Sequence, residues 1–346
     1  MLYQTQNPHG GDIYDGKTVL DFSANTNPFG TPQGVLEAMR DALSQVHHYP
    51  DPCCRELVQA ISVFEGVPKQ HILCGNGAAE LIYAYCDACR PKRAMELAPT
   101  FSEYALGLER VGCRVERYVL RQEENFDLRE AFLDVLARQK PEVVFLCNPN
   151  NPTGKLIPPN LLESILECCD RNGIRLFLDE CFLDLSDGDA GMKRFLNDHP
   201  RLLILKAFTK SYGMAGVRLG YCLCSDHELL SQMSKAVQPW NVSLLAQAAG
   251  TAALREVRFL QKTRALVSAE RAWLKEELES LGFWVCPSNA NFLLFFGETG
   301  LCAALKERGI ALRNCDNYLG LGPGWYRIAV RQHSENETLI GAMKTL

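Results

Sequence analysis

The sequence predicts an α/β protein, a layer of mostly parallel strands covered by helices on both faces, followed by a smaller α+β lobe. From residue 70 to 225, short apolar runs alternate with amphipathic stretches. Several of these runs are apolar at every position, as strands buried on both faces must be. From about residue 241 the pattern lengthens into charged, helical sequence, and a second set of short strand-like runs follows it. An α/β layer with a second, smaller lobe accounts for all three features.

Taken in order, the strand candidates of the large lobe are 71–74, 94–97, 143–146, 174–178, 202–205 and 219–223. Cys86 and Cys89 lie in a helical-looking stretch between the first two, without a second pair at zinc-site spacing, so no metal site is expected. Between 241 and 280, Arg264, Glu270, Arg271, Lys275 and Glu276 interleave with apolar residues, the pattern of a long amphipathic helix. The small-lobe strands are expected at 283–285, 292–296, 310–313 and 326–330.

The chain has 346 residues, 47% of them hydrophobic, which is enough apolar mass for a substantial core. Its 36 Lys and Arg against 41 Asp and Glu give a net charge of -5 with no basic block. That excludes a phosphate-backbone surface and with it nucleic acid as a partner. No cationic segment leads into an apolar stretch at the start, and no uncharged apolar run of about 18 residues occurs. A cytoplasmic protein that does not enter a membrane is expected. The fifteen cysteines are odd in number and include two adjacent pairs, Cys53-Cys54 and Cys168-Cys169, which favours free thiols over disulfides.

Four segments at or after predicted strand ends carry chemistry, where open α/β sheets place their ligands. Cys74-Gly75-Asn76-Gly77-Ala78-Ala79-Glu80 is a strand, a glycine turn and a helix start, whose N–H groups suit an anion. Asn148-Pro149-Asn150-Asn151-Pro152-Thr153-Gly154 presents asparagine amides from a backbone held by two prolines. Asp179 ends an otherwise apolar strand, and a carboxylate there needs a cationic partner. Lys210 follows an apolar strand among small and hydroxyl residues, eight positions before Arg218. A partly buried lysine has a lowered pKa and acts as an amine nucleophile.

Together these segments resemble the fold-type I pyridoxal phosphate enzymes, the aspartate aminotransferase superfamily. The resemblance runs over nearly the whole chain. It rests on the ordered series Gly-Asn-Gly, Asn-Asn-Pro-Thr-Gly, Asp-Glu-x-Phe and Thr-Lys-Ser-x-Gly-x-x-Gly-x-Arg. It implies a fold-type I transferase with a mixed, mostly parallel seven-stranded sheet in a large cofactor domain, residues 35–245. An N-terminal arm, 1–34, joins residues 246–346 in the small α+β domain.

The implied cofactor is pyridoxal 5'-phosphate. Lys210 matches the lysine that holds its aldehyde as a Schiff base, and Asp179 the carboxylate that keeps the pyridine nitrogen protonated. Asn151 matches the amide on the ring oxygen. Gly77, Ala78, Thr209 and Arg218 match the phosphate cup, and Tyr104 the aromatic stacked on the ring. Phe182 departs from the pattern, because many members carry tyrosine there and phenylalanine has no hydroxyl to donate. Arg327 matches the small-lobe arginine that forks a substrate carboxylate.

The closest branch contains histidinol-phosphate aminotransferase and the threonine-phosphate decarboxylase of cobalamin synthesis, both acting on amines that bear a phosphate ester. In His48-Tyr49-Pro50-Asp51-Pro52, Tyr49 matches a tyrosine that reaches the cofactor phosphate of a neighbouring subunit, which implies a homodimer with shared sites. His9-Gly10-Gly11 and the Asp21-Phe22-Ser23-Ala24-Asn25-Thr26-Asn27-Pro28 segment resemble the decarboxylase pattern, and Asp-Glu-x-Phe is at home there too. The expected substrate is a phosphorylated amino acid. Arg313, Asn25 and His9 are the candidates to meet it beside Arg327. Residues 320–325 contain no lysine or arginine, so the choice between O-phospho-L-threonine and O-phospho-L-serine stays open. The aminotransferase reaction remains the alternative.

Overall fold

In the computed structural model, residues 9–14, 16–188 and 191–346 are described. The first eight residues of the expected arm therefore lie outside the description. Seven strands form the central sheet: β2 (Ile72–Gly75), β3 (Arg93–Ala98), β4 (Arg114–Val119), β5 (Val143–Cys147), β6 (Arg175–Asp179), β7 (Leu202–Ala207) and β8 (Gly220–Cys224). A short β1 (Leu20–Asp21) precedes them. Their order is β2-β8-β7-β6-β5-β3-β4, parallel throughout except for β8, which runs against both neighbours. The seven-stranded, mostly parallel mixed sheet is as expected.

Burial on both faces explains the apolar runs. In β5, Val144 and Leu146 enter the cluster on one face of the sheet, while Val143, Phe145 and Cys147 enter the cluster on the other. Phe145 stacks on Phe177 of β6 with ring centroids 4.5 Å apart. The sequence reading passed over β4, and the reason is its position: it is the edge strand, and its Arg-Val-Glu-Arg-Tyr-Val pattern is only partly buried.

The helix Leu244–Ala253 packs on Gln33–Ala42 and Arg55–Glu65, and the 24-residue helix Val257–Ser280 leads on to the second lobe. That lobe holds β9 (Trp284–Val285), β10 (Phe292–Phe296), β11 (Ile310–Ala311), β12 (Arg313–Asn314) and β13 (Trp325–Ala329). Four of them form an antiparallel sheet in the order β12-β13-β10-β9. A separate apolar cluster lies beneath it, with Leu274, Leu278, Leu293, Phe295 and Ile328 among its members. Part of the N-terminal segment packs on this lobe: β1 pairs in parallel with β11, and Phe22 is fully buried in the same cluster.

Among the described residues no helix is long and apolar enough to cross a membrane, and all fifteen cysteines are free.

Candidate active site

The carboxyl ends of β5, β6 and β7 converge on a cavity of about 220 Å³ that also reaches the small lobe. Asp179 is the last residue of β6, in register with Cys147 on β5, and both line the cavity. Its side chain is held twice: Tyr104 donates its hydroxyl to Oδ2 at 2.5 Å, and the Cys181 backbone N–H donates to Oδ1 at 2.9 Å. Burial pushes the Asp179 carboxyl up, while these hydrogen bonds and the Lys210 charge pull the other way.

Lys210 is placed by its neighbours. At the end of β7 the chain turns into the short helix Phe208–Ser211, where Phe208 and Ser211 are buried. Ser211 Oγ donates to Asp184 Oδ2 at 3.0 Å, and its carbonyl accepts from Asn27 Nδ2 at 2.8 Å. Between these two anchors Lys210 lines the cavity, its Nζ 5.7 Å from the centre of the Phe182 ring. Burial, helped by the Arg327 cation, brings its amine down to about 8.

The asparagine loop divides its labour. Asn148 Oδ1 accepts from Ile157 N at 2.8 Å, and Asn150 is tied to Thr100, Pro99 and Thr153. These two hold the loop, and Asn151 alone of the three lines the cavity. Its Oδ1 accepts from Arg327 Nη1 at 2.5 Å, which leaves Nδ2 as the free donor.

At the anion end, the helix Ala78–Cys89 starts directly after Gly77, and Ala78 and Ala79 line the cavity with Thr209 and Arg218. Gly77 has φ +82°, and a Cβ there would fall 2.4 Å from Arg218 Nη2. The guanidinium therefore lies directly against this backbone, beside unpaired first-turn N–H groups.

On the small-lobe side, Arg327 is buried on β13. Nη2 donates to the Ser23 carbonyl at 2.7 Å, and Nε is buried without a partner. No carboxylate of the described residues neutralises it, so the cavity has an uncompensated cation. Asn25 is 2% exposed, with both side-chain polar atoms unpartnered, and it too lines the cavity. Such buried orphans are rare in a finished core and fit a site that receives a polar ligand. Arg313 and His9 complete the wall. The Arg313 guanidinium donates to the Asn314 carbonyl and to Asn317 Oδ1.

Three expected site residues do not line the cavity: Gly77, whose backbone is covered by the Arg218 guanidinium, Tyr104 and Tyr49. Tyr104 does not face the cavity: it is fully buried beneath it, spending its hydroxyl on Asp179, because the helix Glu103–Arg110 turns it down towards Phe145. Phe101, three residues earlier, lines the cavity, as do Phe182 and Tyr318. Tyr49 is 78% exposed, stacked on Trp240 with centroids 4.6 Å apart, and does not line this cavity. Phe101, Ala79, Ser23, Cys147, Cys181 and Tyr318 line it without having been singled out in the sequence.

The sequence model of the family described as aminotransferase class I and II matches residues 17–343. The chain belongs to this family. Among its relatives is a threonine-phosphate decarboxylase of Salmonella typhimurium, 37% identical, with 98% of this chain and 96% of that protein covered. A histidinol-phosphate aminotransferase of Anaeromyxobacter is 33% identical over 95% of this chain and 91% of that protein. The crystal structure of the histidinol-phosphate aminotransferase from Clostridium acetobutylicum superposes with a TM-score of 0.88, at 26% identity, covering 94% of this chain and 98% of that one. As a class I and II aminotransferase-family enzyme, the protein uses pyridoxal 5'-phosphate. The donor set fits that group: an amine for its aldehyde, a carboxylate for its ring nitrogen, an amide for its ring oxygen, and a guanidinium beside a helix start for its phosphate.

Proposed function

We propose that this enzyme decarboxylates O-phospho-L-threonine to (R)-1-amino-2-propanol phosphate, a step of cobalamin assembly in the cytoplasm, and that it does so as a homodimer. The observation that carries this reading is that two buried arginines, Arg327 and Arg313, line the same cavity as Lys210. One substrate bearing both a carboxylate and a phosphate ester matches two cations. The 37% identity to a threonine-phosphate decarboxylase supports the same choice. O-Phospho-L-serine is the alternative substrate, because one missing methyl is worth only about 1–3 kcal/mol of discrimination.

Pyridoxal phosphate, when bound, supplies an aldehyde that condenses with amines and a cationic ring that takes up the electron pair left by departing CO₂. Lys210, with its amine lowered to about 8, has a sizeable neutral fraction near neutral pH, so it can attack a carbonyl. The same amine is the group that would hand a proton to the substrate Cα. Asp179 would hold the proton on the ring nitrogen. Asn151 Nδ2 would donate to the ring oxygen, and the Phe101 face would take the stacking role first expected of Tyr104. Arg327 would orient the substrate carboxylate. Tyr49, exposed beside Trp240, would reach the cofactor phosphate of a second copy of the chain.

A histidinol-phosphate aminotransferase is the second reading, favoured by the similarity to the Clostridium acetobutylicum structure. One experiment separates the two. Purified holoenzyme is given O-phospho-L-threonine without any keto acid, and separately histidinol phosphate with 2-oxoglutarate. Release of CO₂ from the first mixture is expected, and glutamate formed in the second would overturn the proposal.

A further inference from the structure

Asp179 would meet the ring nitrogen of pyridoxal phosphate and Lys210 its aldehyde, which stands para to that nitrogen. The ring is rigid, so the spacing of the two side chains has to match it, and a misplacement of about 1 Å is costly. Their backbones leave the sheet together. Asp179 ends β6 opposite Leu205 of β7, and the Glu180 N–H donates to the Leu205 carbonyl at 2.9 Å. Beyond that rung the strand ladder no longer fixes how far apart the two chains run.

A side-chain tie takes over from the ladder. Asp184 follows Asp179 by five residues, on the 3₁₀ turn Leu183–Leu185, where Leu183 N–H donates to the Glu180 carbonyl at 3.0 Å and Leu185 N–H to that of Phe182 at 3.1 Å. Asp184 Oδ1 accepts from Lys206 Nζ at 3.0 Å, and Oδ2 from Ser211 Oγ at 3.0 Å. One carboxylate therefore grips the chain on both sides of Lys210. Its own backbone is fixed as well, the carbonyl accepting from Arg264 Nε of the long helix at 2.6 Å. Ser211 is fully buried, and two residues further on the Gly213 carbonyl accepts from Thr31 Oγ1 at 2.8 Å. Neither Asp184 nor Ser211 lines the cavity, so any effect they have on the coenzyme passes through Lys210.

We propose that Asp184, through its hydrogen bond with Ser211, is a positioning residue for Lys210: it sets the amine at the distance from Asp179 that the ring of pyridoxal phosphate requires. This rests on Lys210 as the group that takes the aldehyde, and on nothing about the substrate or the bond broken in it. Asp179 and Asp184 then serve one coenzyme from the same loop, the first by contact and the second by holding the opposite group in place. A tie that served stability alone would loosen the whole cavity alike, whereas a positioning tie acts on the amine only.

The test compares two probes on the full-length protein freed of coenzyme. Saturating pyridoxal 5'-phosphate reports condensation of its aldehyde with the amine, one water leaving as the C=N bond forms, followed by stopped-flow absorbance. Pyridoxine 5'-phosphate carries an alcohol in place of the aldehyde and reports binding alone, by equilibrium dialysis. At about pH 9.5 the Lys210 amine, brought down to about 8, is almost wholly neutral, so the rate then reads geometry rather than protonation. Ser211→Ala deletes the hydroxyl and leaves Asp184 paired with Lys206, and Asp184→Asn removes the charge. Each should slow condensation by about ten- to a hundredfold and leave the affinity for pyridoxine 5'-phosphate unchanged. The double variant should be no slower than the slower single one, because both remove the same bond. Ser211→Ala carries the test where Asp184→Asn does not fold, and Lys210→Ala should lose the condensation altogether.

Condensation at the unaltered rate in Ser211→Ala would overturn the proposal, as would a matching loss of affinity for pyridoxine 5'-phosphate, which is what a loosened cavity gives. Single losses that multiply in the double variant would mean that the two residues act separately, and would overturn it too. Condensation retained by Lys210→Ala removes the nucleophile assignment and this inference with it. Its loss in Lys210→Ala beside an unaltered rate in Ser211→Ala removes the inference alone.

Discussion

The hydroxyl of Tyr104 donates to Asp179 Oδ2 at 2.5 Å, on the buried side of the carboxylate. Burial pushes the Asp179 carboxyl up, and this donor is one of the groups that oppose that rise. Tyr104→Phe removes the donor while keeping the ring. The Asp179 carboxyl should then rise further, and its grip on a protonated ring nitrogen should weaken. We expect the variant to fold and bind pyridoxal phosphate, with kcat lowered about tenfold, the effect of losing one hydrogen bond to a charged group. The cofactor's absorbance should shift as well. An unchanged kcat and spectrum would mean that Tyr104 serves packing alone.

Lys210 sets the pH dependence of cofactor capture. Only its neutral amine reacts with an aldehyde, and burial beside Arg327 brings it to about 8. At pH 7 roughly a tenth of such an amine is neutral, against about 0.04% for an ordinary lysine near 10.4. Capture of pyridoxal phosphate by apoprotein should therefore speed up about tenfold per pH unit below 7 and level off above about 8. The stability of the apoprotein follows the same group. Between about 8 and the ordinary lysine value, the unfolded chain binds the extra proton, so this contribution favours folding more as pH rises. Capture rates from stopped-flow absorbance between pH 6 and 10 would test this, and a rise continuing past pH 9.5 would contradict it.

Arg327 serves two groups at once. Its Nη1 holds Asn151 Oδ1 and its Nη2 the Ser23 carbonyl, so the N–H groups outside these two bonds, the orphaned Nε among them, are what a substrate carboxylate can use. Arg327→Ala should therefore weaken the substrate and also loosen the amide that faces the ring oxygen. The expected result is a KM raised by about tenfold or more, together with a measurable loss of cofactor affinity. Arg327→Lys should restore little of either, because an ammonium cannot reproduce the fork. Equilibrium dialysis of the cofactor beside steady-state kinetics would separate the two effects, and cofactor affinity equal to that of the unaltered enzyme would deny the link to Asn151.

How far the sequence could be read depended on the distance over which each signal acts. Lys210, Asp179, Asn151 and Arg218 lie in local patterns at strand ends, and the structure brings all four to one cavity. The apolar runs of β5, β6 and β7 are continuous because both faces are covered, which made them visible. Phe101 and Tyr104 could not be told apart, because two aromatics three residues apart at a helix start differ only in which way the chain enters the helix. The contact between His9 and Glu103 joins residues 94 positions apart, and no local pattern encodes it. Of the three loop asparagines, only the hydrogen bonds tell that two hold the backbone and one faces the cavity.

Gly77 is held to glycine by two independent constraints, a φ of +82° and the Arg218 guanidinium 2.4 Å from where a Cβ would stand. Gly77→Ala would have to push Arg218 away from the helix start or change the turn. Either result spoils the anion site while leaving Lys210 and Asp179 in place. We expect the dissociation constant for pyridoxal phosphate to rise by about ten- to a hundredfold, the range of one or two charge-assisted hydrogen bonds. The affinity for pyridoxal, which lacks the phosphate, should change little. Comparable losses for both compounds would show that the turn shapes the whole cavity rather than its anion end.

Behind the Lys210 turn lies a buried group of charges that the reaction does not touch. Lys206 Nζ is 3.0 Å from Asp184 Oδ1 and 3.6 Å from Glu65 Oε1, and Glu65 also accepts from Lys193 and Tyr221. Burial pushes both carboxyls up, but Lys206 and the hydrogen bonds around them outweigh it and hold them low. Lys206→Met leaves two buried carboxylates without their main cation, which should cost about 3–5 kcal/mol of stability at pH 8. In the unaltered protein, carboxyls held low stabilise the fold above their ordinary values, and that contribution fades as pH falls through their lowered ones. In the variant the same carboxyls should be raised and protonate more readily, which relieves the buried charge. The difference in stability between the two proteins should therefore narrow between pH 8 and pH 5. Urea unfolding at both pH values measures it, and a gap of constant size would mean that Lys206 contributes through packing rather than charge.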